Sequence, residues 1–307
     1  MTSRPSPSLV TRLCLADVVV NTGIVVTGGA VRLTGSGLGC SDWPKCTDSS
    51  YVPRGETTGH TLVEFGNRTL AFVVGLVALV TFVVALRSGR RALGWLTGGV
   101  LAGVPAQAVV GGITVRTHLN PYWVAGHFLL SIAVIAVCVL AWWRSRLPDT
   151  APVPVVGPLR ALGWLMAGAA ALVIVLGTLV TGSGPHAGDR RARRTGFDPA
   201  AISQLHADAV MLLVGLTVAT LVAFHAARVP ERVRRAAWVL FGVELSQAAI
   251  GYTQYFTHLP VVLVGLHLLG ACLVWIAVLR LLLVQYDRPA VEVPDVVDVD
   301  AVQAGLR

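Results

Sequence analysis

The chain has 307 residues, of which 54% are hydrophobic and only 13% are charged, and it carries a formal net charge of +8. Apolar runs of this number and length exclude a soluble domain and are typical of an integral membrane protein. Lys45 is the only lysine, so the positive charge comes from arginine. In a membrane protein this excess indicates cytoplasmic loops and not a nucleic-acid partner.

The apolar runs predict eight membrane-spanning helices and therefore an all-α integral membrane protein. Their predicted ranges are 13–33, 62–86, 93–115, 122–143, 160–181, 201–226, 236–256 and 261–284. The short connections between them make neighbouring helices antiparallel. The acidic segment 287–307 is predicted to be a separate polar tail.

The arginines favour one side of the predicted membrane. The segments 87–91, 144–160 and 228–235 carry ten of the 23 arginines, and the chain ends on the same side add Arg4, Arg12, Arg280 and Arg288. The opposite loops carry few apart from a cluster at 190–194. The positive-inside rule therefore predicts that both chain ends lie in the cytoplasm and that the protein resides in a bacterial plasma membrane. The 190–194 cluster is an exception to this pattern.

The second half of the chain repeats the first. Four landmarks recur at a constant shift of 140 residues: Gln107 as Gln247, Gly111 as Gly251, His118 as His258, and His127 as His267. Because each copy holds four helices, an even number, both copies cross the membrane in the same direction. The sequence thus predicts two pseudo-symmetric four-helix bundles, residues 1–150 and 151–286, each with a core able to hold a cofactor.

Two histidines of the second half lie at matching depth. His206 is near the start of helix 6, and His267 is near the start of helix 8, about 10 Å below the membrane surface. Imidazoles from opposing helices are the usual axial ligands of a haem in a four-helix core. The alternative is that each histidine only bonds a neighbouring helix or water. The recurrence of His267 as His127 favours haem.

The first half has His127 at the same depth but lacks its partner, because the repeat places Asn67 where the second half has His206. Asparagine is a poor iron ligand, so His127 alone is predicted to bind a porphyrin there. Glu64 lies one turn before Asn67 and faces the same core. A buried carboxylate must be catalytic or paired, and Arg68 at i+4 is an available partner. Both roles of Glu64 remain open, with catalysis favoured. Glu64 and His127 are the predicted catalytic residues, and Asn67 is predicted to belong to the same cofactor site.

These residues resemble the haem A synthases of bacterial and mitochondrial membranes. The resemblance rests on Gly28-Gly-Ala-Val-Arg-Leu-Thr-Gly-Ser-Gly37, Cys40-Ser-Asp-Trp-Pro-Lys-Cys46, Glu64-Phe-Gly-Asn-Arg68 and the histidines of helices 4, 6 and 8. It implies that His206 and His267 bind haem b, while the N-terminal half receives haem o at His127. It also implies oxidation of a ring methyl of haem o to a formyl group, giving haem a for cytochrome oxidase. The family commonly has a fourth histidine at the position of Asn67.

The resemblance further implies a disulfide between Cys40 and Cys46, since related bacterial enzymes have a similar pair in an outer loop that faces the oxidising compartment. A metal site is the alternative, which the absence of a second ligand pair in the loop disfavours. The implied partners are haem O synthase, the assembly of cytochrome oxidase and membrane lipid, and a homo-oligomer is compatible with the sequence.

Two other functions are compatible with the sequence: a membrane di-haem b-type cytochrome that only transfers electrons, and a transporter. Internal repeats are common in transporters, but no broken helix is evident here. Glu64 beside an incompletely ligated site favours chemistry over electron transfer. The sequence assigns no role to Asp208, Glu244, His118 or His258.

Overall fold

The computed structural model describes residues 4–53, 58–147 and 158–286, which fold into eight α-helices. The helices are Pro7–Leu33 (α1), Gly59–Arg87 (α2), Arg91–Arg116 (α3), Pro121–Ser145 (α4), Pro158–Ser183 (α5), Pro199–Ala226 (α6), Glu231–Phe256 (α7) and Val261–Val284 (α8). Every predicted span lies within one of these helices. The predicted tail 287–307 lies outside the described residues.

Several helices begin before the predicted apolar runs because polar residues cap their first turns. The side chains of Ser6, Thr58, Asn120 and Asp198 each accept a hydrogen bond from a backbone N–H of the following helix. These bonds satisfy donors that have no partner inside the helix. A proline follows three of these caps, where its missing N–H costs nothing. Hydropathy alone does not detect such starts, because the caps lie outside the apolar runs.

Seven of the described helices are long and apolar enough to cross a bilayer. The exception is α7, which begins with one glutamate and three arginines within Glu231–Arg235. Its interior polar residues Glu244 and Gln247 are buried, and the helix packs between α6 and α8. The prediction of an all-α integral membrane protein is confirmed, with α7 more polar than a typical lipid-facing helix.

The helices pack in two rings of four. In the first ring each of α1 to α4 contacts its two ring neighbours, and α5 to α8 form the same arrangement. The rings meet where α1 and α4 pack on α8, and where α4 also packs on α5. At this junction Trp275 Nε1 donates a hydrogen bond of 3.0 Å to the carbonyl oxygen of Ile132. The predicted boundary at residues 150 and 151 lies outside the described residues.

The repeat extends to the backbone of the turns that join α3 to α4 and α7 to α8. His118 and Leu119 have positive φ values of 52° and 59°, and their counterparts His258 and Leu259 have 62° and 59°. Non-glycine residues rarely adopt this conformation, so its recurrence at equivalent positions shows that both turns have the same local geometry. These turns, with the loops that follow α1 and α5, form what we call the disulfide end of the molecule.

Hydrogen bonds connect the two rings at the disulfide end. Arg32 at the end of α1 donates from Nε to the His186 carbonyl oxygen at 2.6 Å and from Nη2 to that of Thr181 at 2.8 Å. His186 Nε2 donates in turn to the carbonyl oxygen of Leu259 at 2.9 Å. The loop after α5 is therefore fixed to both rings, which keeps the openings of the two cores in a defined relation.

Candidate functional site

His206 on α6 is oriented by a backbone carbonyl of α5. Its Nδ1 lies 3.0 Å from the carbonyl oxygen of Val173. Because a carbonyl can only accept, Nδ1 carries the proton and Nε2 keeps its lone pair. A neutral imidazole with one nitrogen bonded in this way is the form that binds a metal through the other nitrogen.

His267 on α8 has no hydrogen-bond partner among the described residues, and its Nδ1 is buried. Its helix lies across the second ring from α6, which carries His206. Burying an imidazole nitrogen without a partner is costly. The His267 imidazole is therefore suited to bind a ligand that is not part of the chain. His206 and His267 therefore lie on opposite helices of the second ring, and their role as haem ligands stays a prediction.

Glycines make room for each of these imidazoles. A Cβ atom on Gly177 would lie 3.2 Å from His206 Cε1, and one on Gly251 would lie 3.3 Å from His267 Cε1. In the first ring, a Cβ on Gly111 would lie 3.2 Å from His127 Cε1. Contacts this short mean that each imidazole packs directly against the helix backbone at a glycine. The repeat of Gly111 and Gly251, visible in the sequence, therefore has a packing cause.

His127 on α4 is equivalent to His267 in its surroundings as well as in its register. Its Nδ1 is buried without a partner within the described chain. Asn67 on α2 stands at the position that the repeat relates to His206, and its Oδ1 accepts a 2.7 Å hydrogen bond from Thr27 Oγ1. The imidazole of His60, near the start of α2, lies with its Nδ1 2.9 Å from Ser36 Oγ. His127 is therefore the histidine of the first ring that has a buried nitrogen without a partner.

The carboxylate of Glu64 is buried, with 5% of the residue exposed, and both of its oxygens have partners. Oε1 pairs with Arg68 Nη2 at 2.7 Å, and Oε2 accepts a hydrogen bond from the backbone N–H of Cys40 at 2.7 Å. The ion pair that the spacing of Glu64 and Arg68 predicted is present. A catalytic role for Glu64 stays a prediction.

Cys40 and Cys46 form a disulfide, as predicted. Arg68 Nη1 donates to the carbonyl oxygens of Asp42 and Lys45, both at 3.0 Å, so the disulfide loop is fixed to the same helix that carries Glu64. The other three cysteines, Cys14, Cys138 and Cys272, are buried and unpaired.

The polar residues to which the sequence assigned no role differ in their burial and in their partners. Asp208 is exposed and accepts a hydrogen bond from Gln204, so it faces away from the core. Glu244 is buried, and its Oε1 accepts from Thr217 Oγ1 at 2.9 Å. His118 and His258 lie in the turns at the disulfide end.

Sequence reasoning missed two features. Asp17 in α1 is 1% exposed, and its Oδ1 has no hydrogen-bond partner among the described residues; a lone acid in an apolar run was the signal for it. Trp43 lies against Gly112 of α3, and no sequence pattern predicts this contact.

The donor set fits a porphyrin and not a bare ion. Within the described residues no group of three or more His, Cys, Asp or Glu side chains is placed to hold a metal ion. A haem iron needs only one or two protein ligands, because the porphyrin supplies the others. Single and paired imidazoles with free nitrogens, on helices that enclose a core, meet that need.

Comparison with known proteins supports a specific family. The model of the COX15-CtaA family, described as cytochrome oxidase assembly protein, matches residues 11–188. The chain is 31% identical over 195 residues to a heme A synthase of Bradyrhizobium sp. (strain BTAi1), covering 52% of this chain and 53% of the relative. It is 26% identical over 325 aligned positions to a heme A synthase of Sinorhizobium fredii, covering 87% and 88%.

The first of these matches thus spans about half the length of each protein. The family match, by contrast, spans more than half of the 307 residues. It includes the disulfide loop, Glu64, Asn67 and His127, and it ends before His206 and His267. This chain belongs to the COX15-CtaA family of cytochrome oxidase assembly proteins.

Proposed function

We propose that this protein is a haem A synthase, which oxidises a ring methyl group of haem o to a formyl group and so provides haem a for cytochrome oxidase. One observation carries the proposal: the two rings offer unequal imidazole sites. The second ring carries His206 and His267 on opposite helices, whereas in the first the repeat pairs His127 with Asn67, in the half that also carries the buried Glu64 carboxylate. The names of the relatives agree with this function.

In the second ring, His206 and His267 would bind haem b through their free nitrogens. The hydrogen bond from His206 Nδ1 to Val173 fixes the tautomer that this needs. If both imidazoles held the haem, it would supply electron transfer and would not bind substrate at its iron. The task of these residues is therefore to hold the cofactor and exclude other ligands.

In the first ring, haem o would bind as the substrate, with His127 as its single strong protein ligand. Asn67 lies opposite, with its side-chain oxygen engaged by Thr27. Because Asn67 is a weaker iron ligand than histidine, haem o would be held less firmly here than haem b is held in the second ring. That is suitable for a molecule that must leave after it has reacted.

Glu64 would act on the substrate edge. Converting a methyl group to a formyl group is a four-electron oxidation: two C–H bonds break, an oxygen atom enters from water, four electrons pass to an external electron acceptor, and four protons are released. A carboxylate in a region of low dielectric can accept such a proton. Oε2 is the candidate atom, because its partner is a neutral N–H of Cys40, while Oε1 is paired with Arg68.

The family and the membrane helices also support a location in the cell membrane. We place the protein in a bacterial cell membrane with both termini in the cytoplasm, as the arginine distribution predicts. Haem O synthase would supply the substrate, cytochrome oxidase assembly would receive the product, and a homo-oligomer is compatible with these roles.

The proposal is tested by expressing the chain in a bacterial host that makes haem o but has no haem A synthase. Extracted haems are then separated by chromatography. We expect haem a with the wild-type chain and none with His127→Ala. If the purified protein carried haem b but the host accumulated only haem o, the chain would be an electron-transfer cytochrome and not an enzyme.

A further inference from the structure

The indole of Trp43 lies directly on the backbone of α3. A Cβ atom on Gly112 would fall 2.7 Å from Trp43 Cε3, 2.5 Å from Cε2 and closer still to Cδ2. No side chain fits between them, so Gly112 is the residue that allows the indole to lie there. The neighbouring Gly111 contacts the ring of His127. Trp43 therefore meets α3 one residue away from the packing site of the N-terminal histidine.

Trp43 is also fixed to α2. Arg68 Nη1 donates to the carbonyl oxygens of Asp42 and Lys45, which flank Trp43 and Pro44 in the chain. Glu64 Oε2 accepts from the N–H of Cys40, and the disulfide to Cys46 closes the loop. The contacts that orient the Glu64 carboxylate thus also position the indole.

Trp43 and Glu64 lie at similar depth. Gly112 is four residues before the end of α3, and Glu64 is five residues after the start of α2, so both are roughly 6–8 Å from the helix ends at the disulfide end. Asn67 and His127 lie slightly deeper. The indole thus lies against α3, while Arg68 of α2 bonds the loop backbone on either side of it, near the disulfide end of the first ring.

Within the described part of the second ring, this contact has no equivalent. The 140-residue shift that relates Gly111 to Gly251 relates Gly112 to Tyr252, which is 56% exposed. The glycine that contacts the histidine is thus present in both rings, whereas the glycine that accommodates an indole is present only in the first. This difference indicates that Trp43 serves the substrate ring and not haem binding in general.

We propose that Trp43 is a substrate-contact residue whose indole forms the wall of the N-terminal porphyrin site between α2 and α3. It fixes the position of haem o relative to Glu64. This inference rests on the proposed function. A rigid aromatic surface packs well against the flat, apolar surface of a porphyrin. Because Arg68 and Glu64 both bond the loop that carries Trp43, the same contacts position the proposed substrate-contact residue and the proposed proton acceptor.

The first test compares Trp43→Ala with Trp43→Phe in the purified full-length protein. Haem o affinity is measured by absorbance titration, and KM and kcat for haem o are measured separately. We expect Trp43→Ala to raise both Kd and KM by about tenfold, ~1.4 kcal/mol, and Trp43→Phe to stay within about threefold of wild type because it keeps an aromatic wall. The low-spin haem b spectrum and the Cys40–Cys46 disulfide should persist in both variants.

The second test keeps Trp43 but fills the space above Gly112 in which its indole lies. Gly112→Ala puts a methyl group where the indole lies, so it should weaken haem o binding as Trp43→Ala does. Gly23→Ala on α1 is the matched control, because a Cβ there meets nothing within 4 Å, and it should behave as wild type. Gly112→Ala also decides the matter if Trp43→Ala does not fold.

Three outcomes would overturn the inference. Wild-type haem o affinity and KM in both Trp43→Ala and Gly112→Ala would show that the indole does not touch the substrate. Equal losses in Trp43→Phe and Trp43→Ala would argue against an aromatic wall. Loss of the haem b spectrum together with haem o binding would show that Trp43 only supports the fold. Failure of the wild-type chain to form haem a would instead count against the proposed function, and the binding titration separates the two cases.

Discussion

Glu64 and Arg68 lie one turn apart on α2 and form an ion pair of 2.7 Å between Oε1 and Nη2. Exposed pairs of this spacing contribute only about 0.3–0.5 kcal/mol, but this pair is largely buried and extends into the disulfide loop. Arg68 bonds carbonyl oxygens on both sides of Trp43, and Glu64 bonds the N–H of Cys40. The pair therefore fixes the loop whatever part the carboxylate takes in chemistry, and the two roles need separate tests.

Glu64→Gln tests the catalytic role. Glutamine keeps an oxygen that can accept from the Cys40 N–H but cannot take up a proton from substrate. We expect the variant to retain its haem b and to accumulate haem o or a hydroxylated intermediate. Haem a should fall by roughly a hundredfold or more, the usual effect of removing a general base. Extracted haems are quantified by chromatography.

Arg68→Gln is the control for Glu64→Gln, because it removes the same ion pair and leaves the carboxylate. Because Arg68 also holds the loop that carries Trp43, we expect Arg68→Gln to raise KM for haem o but to lower kcat much less than Glu64→Gln does. Normal conversion of haem o by Glu64→Gln would show that Glu64 is only the partner of Arg68, and catalysis would then have to be sought at His127.

His206→Ala and His267→Ala test the haem b ligands. Each removes one imidazole of the facing pair, so the low-spin spectrum of a haem with two axial histidines should disappear while the protein still inserts in the membrane. Optical and electron paramagnetic resonance spectra of purified protein measure this. His225→Ala, at the exposed end of α6, is the control and should keep the signal. Survival of the signal in both single variants would mean that the ligands are wrongly assigned.

Asn67→His tests the unequal ligation of the two rings. Asn67 occupies the position that corresponds to His206, so an imidazole there should face His127 and complete a second pair. We expect a second low-spin haem signal when haem o is bound, slower release of the porphyrin and less haem a. An unchanged spectrum of the bound haem o would show that residue 67 does not face the porphyrin.

The Cys40–Cys46 disulfide should be present in the isolated protein. Alkylation before and after reduction should differ by two modified cysteines, as measured by mass spectrometry. For a loop this short the chain-entropy model gives a stabilisation of roughly 2 kcal/mol. Cys40→Ser/Cys46→Ser should therefore melt at a lower temperature, and no mass difference upon reduction would argue against the bond in the cell.

The sequence alone determined the eight helices and the equivalence of the two rings. Apolar runs long enough to span a bilayer leave few alternatives to helices, because every backbone polar group must be paired within the membrane. The constant shift between His127 and His267 predicted that they are equivalent residues of the two halves. The spacing of Glu64 and Arg68 predicted their ion pair, since residues at i and i+4 lie on one face.

Only the tertiary structure decided the contacts that depend on the course of a loop. Nothing in the residues from 34 to 53 indicates that Trp43 reaches α3, because that depends on the disulfide and on Arg68 bonding the loop from α2. The engagement of Glu64 by Cys40, the hydrogen bond from Thr27 to Asn67 and the orientation of His206 by Val173 likewise join separate segments. Local periodicity specifies which face a residue occupies. The residue opposite it is set by helix packing and loop path, which single-sequence patterns do not encode.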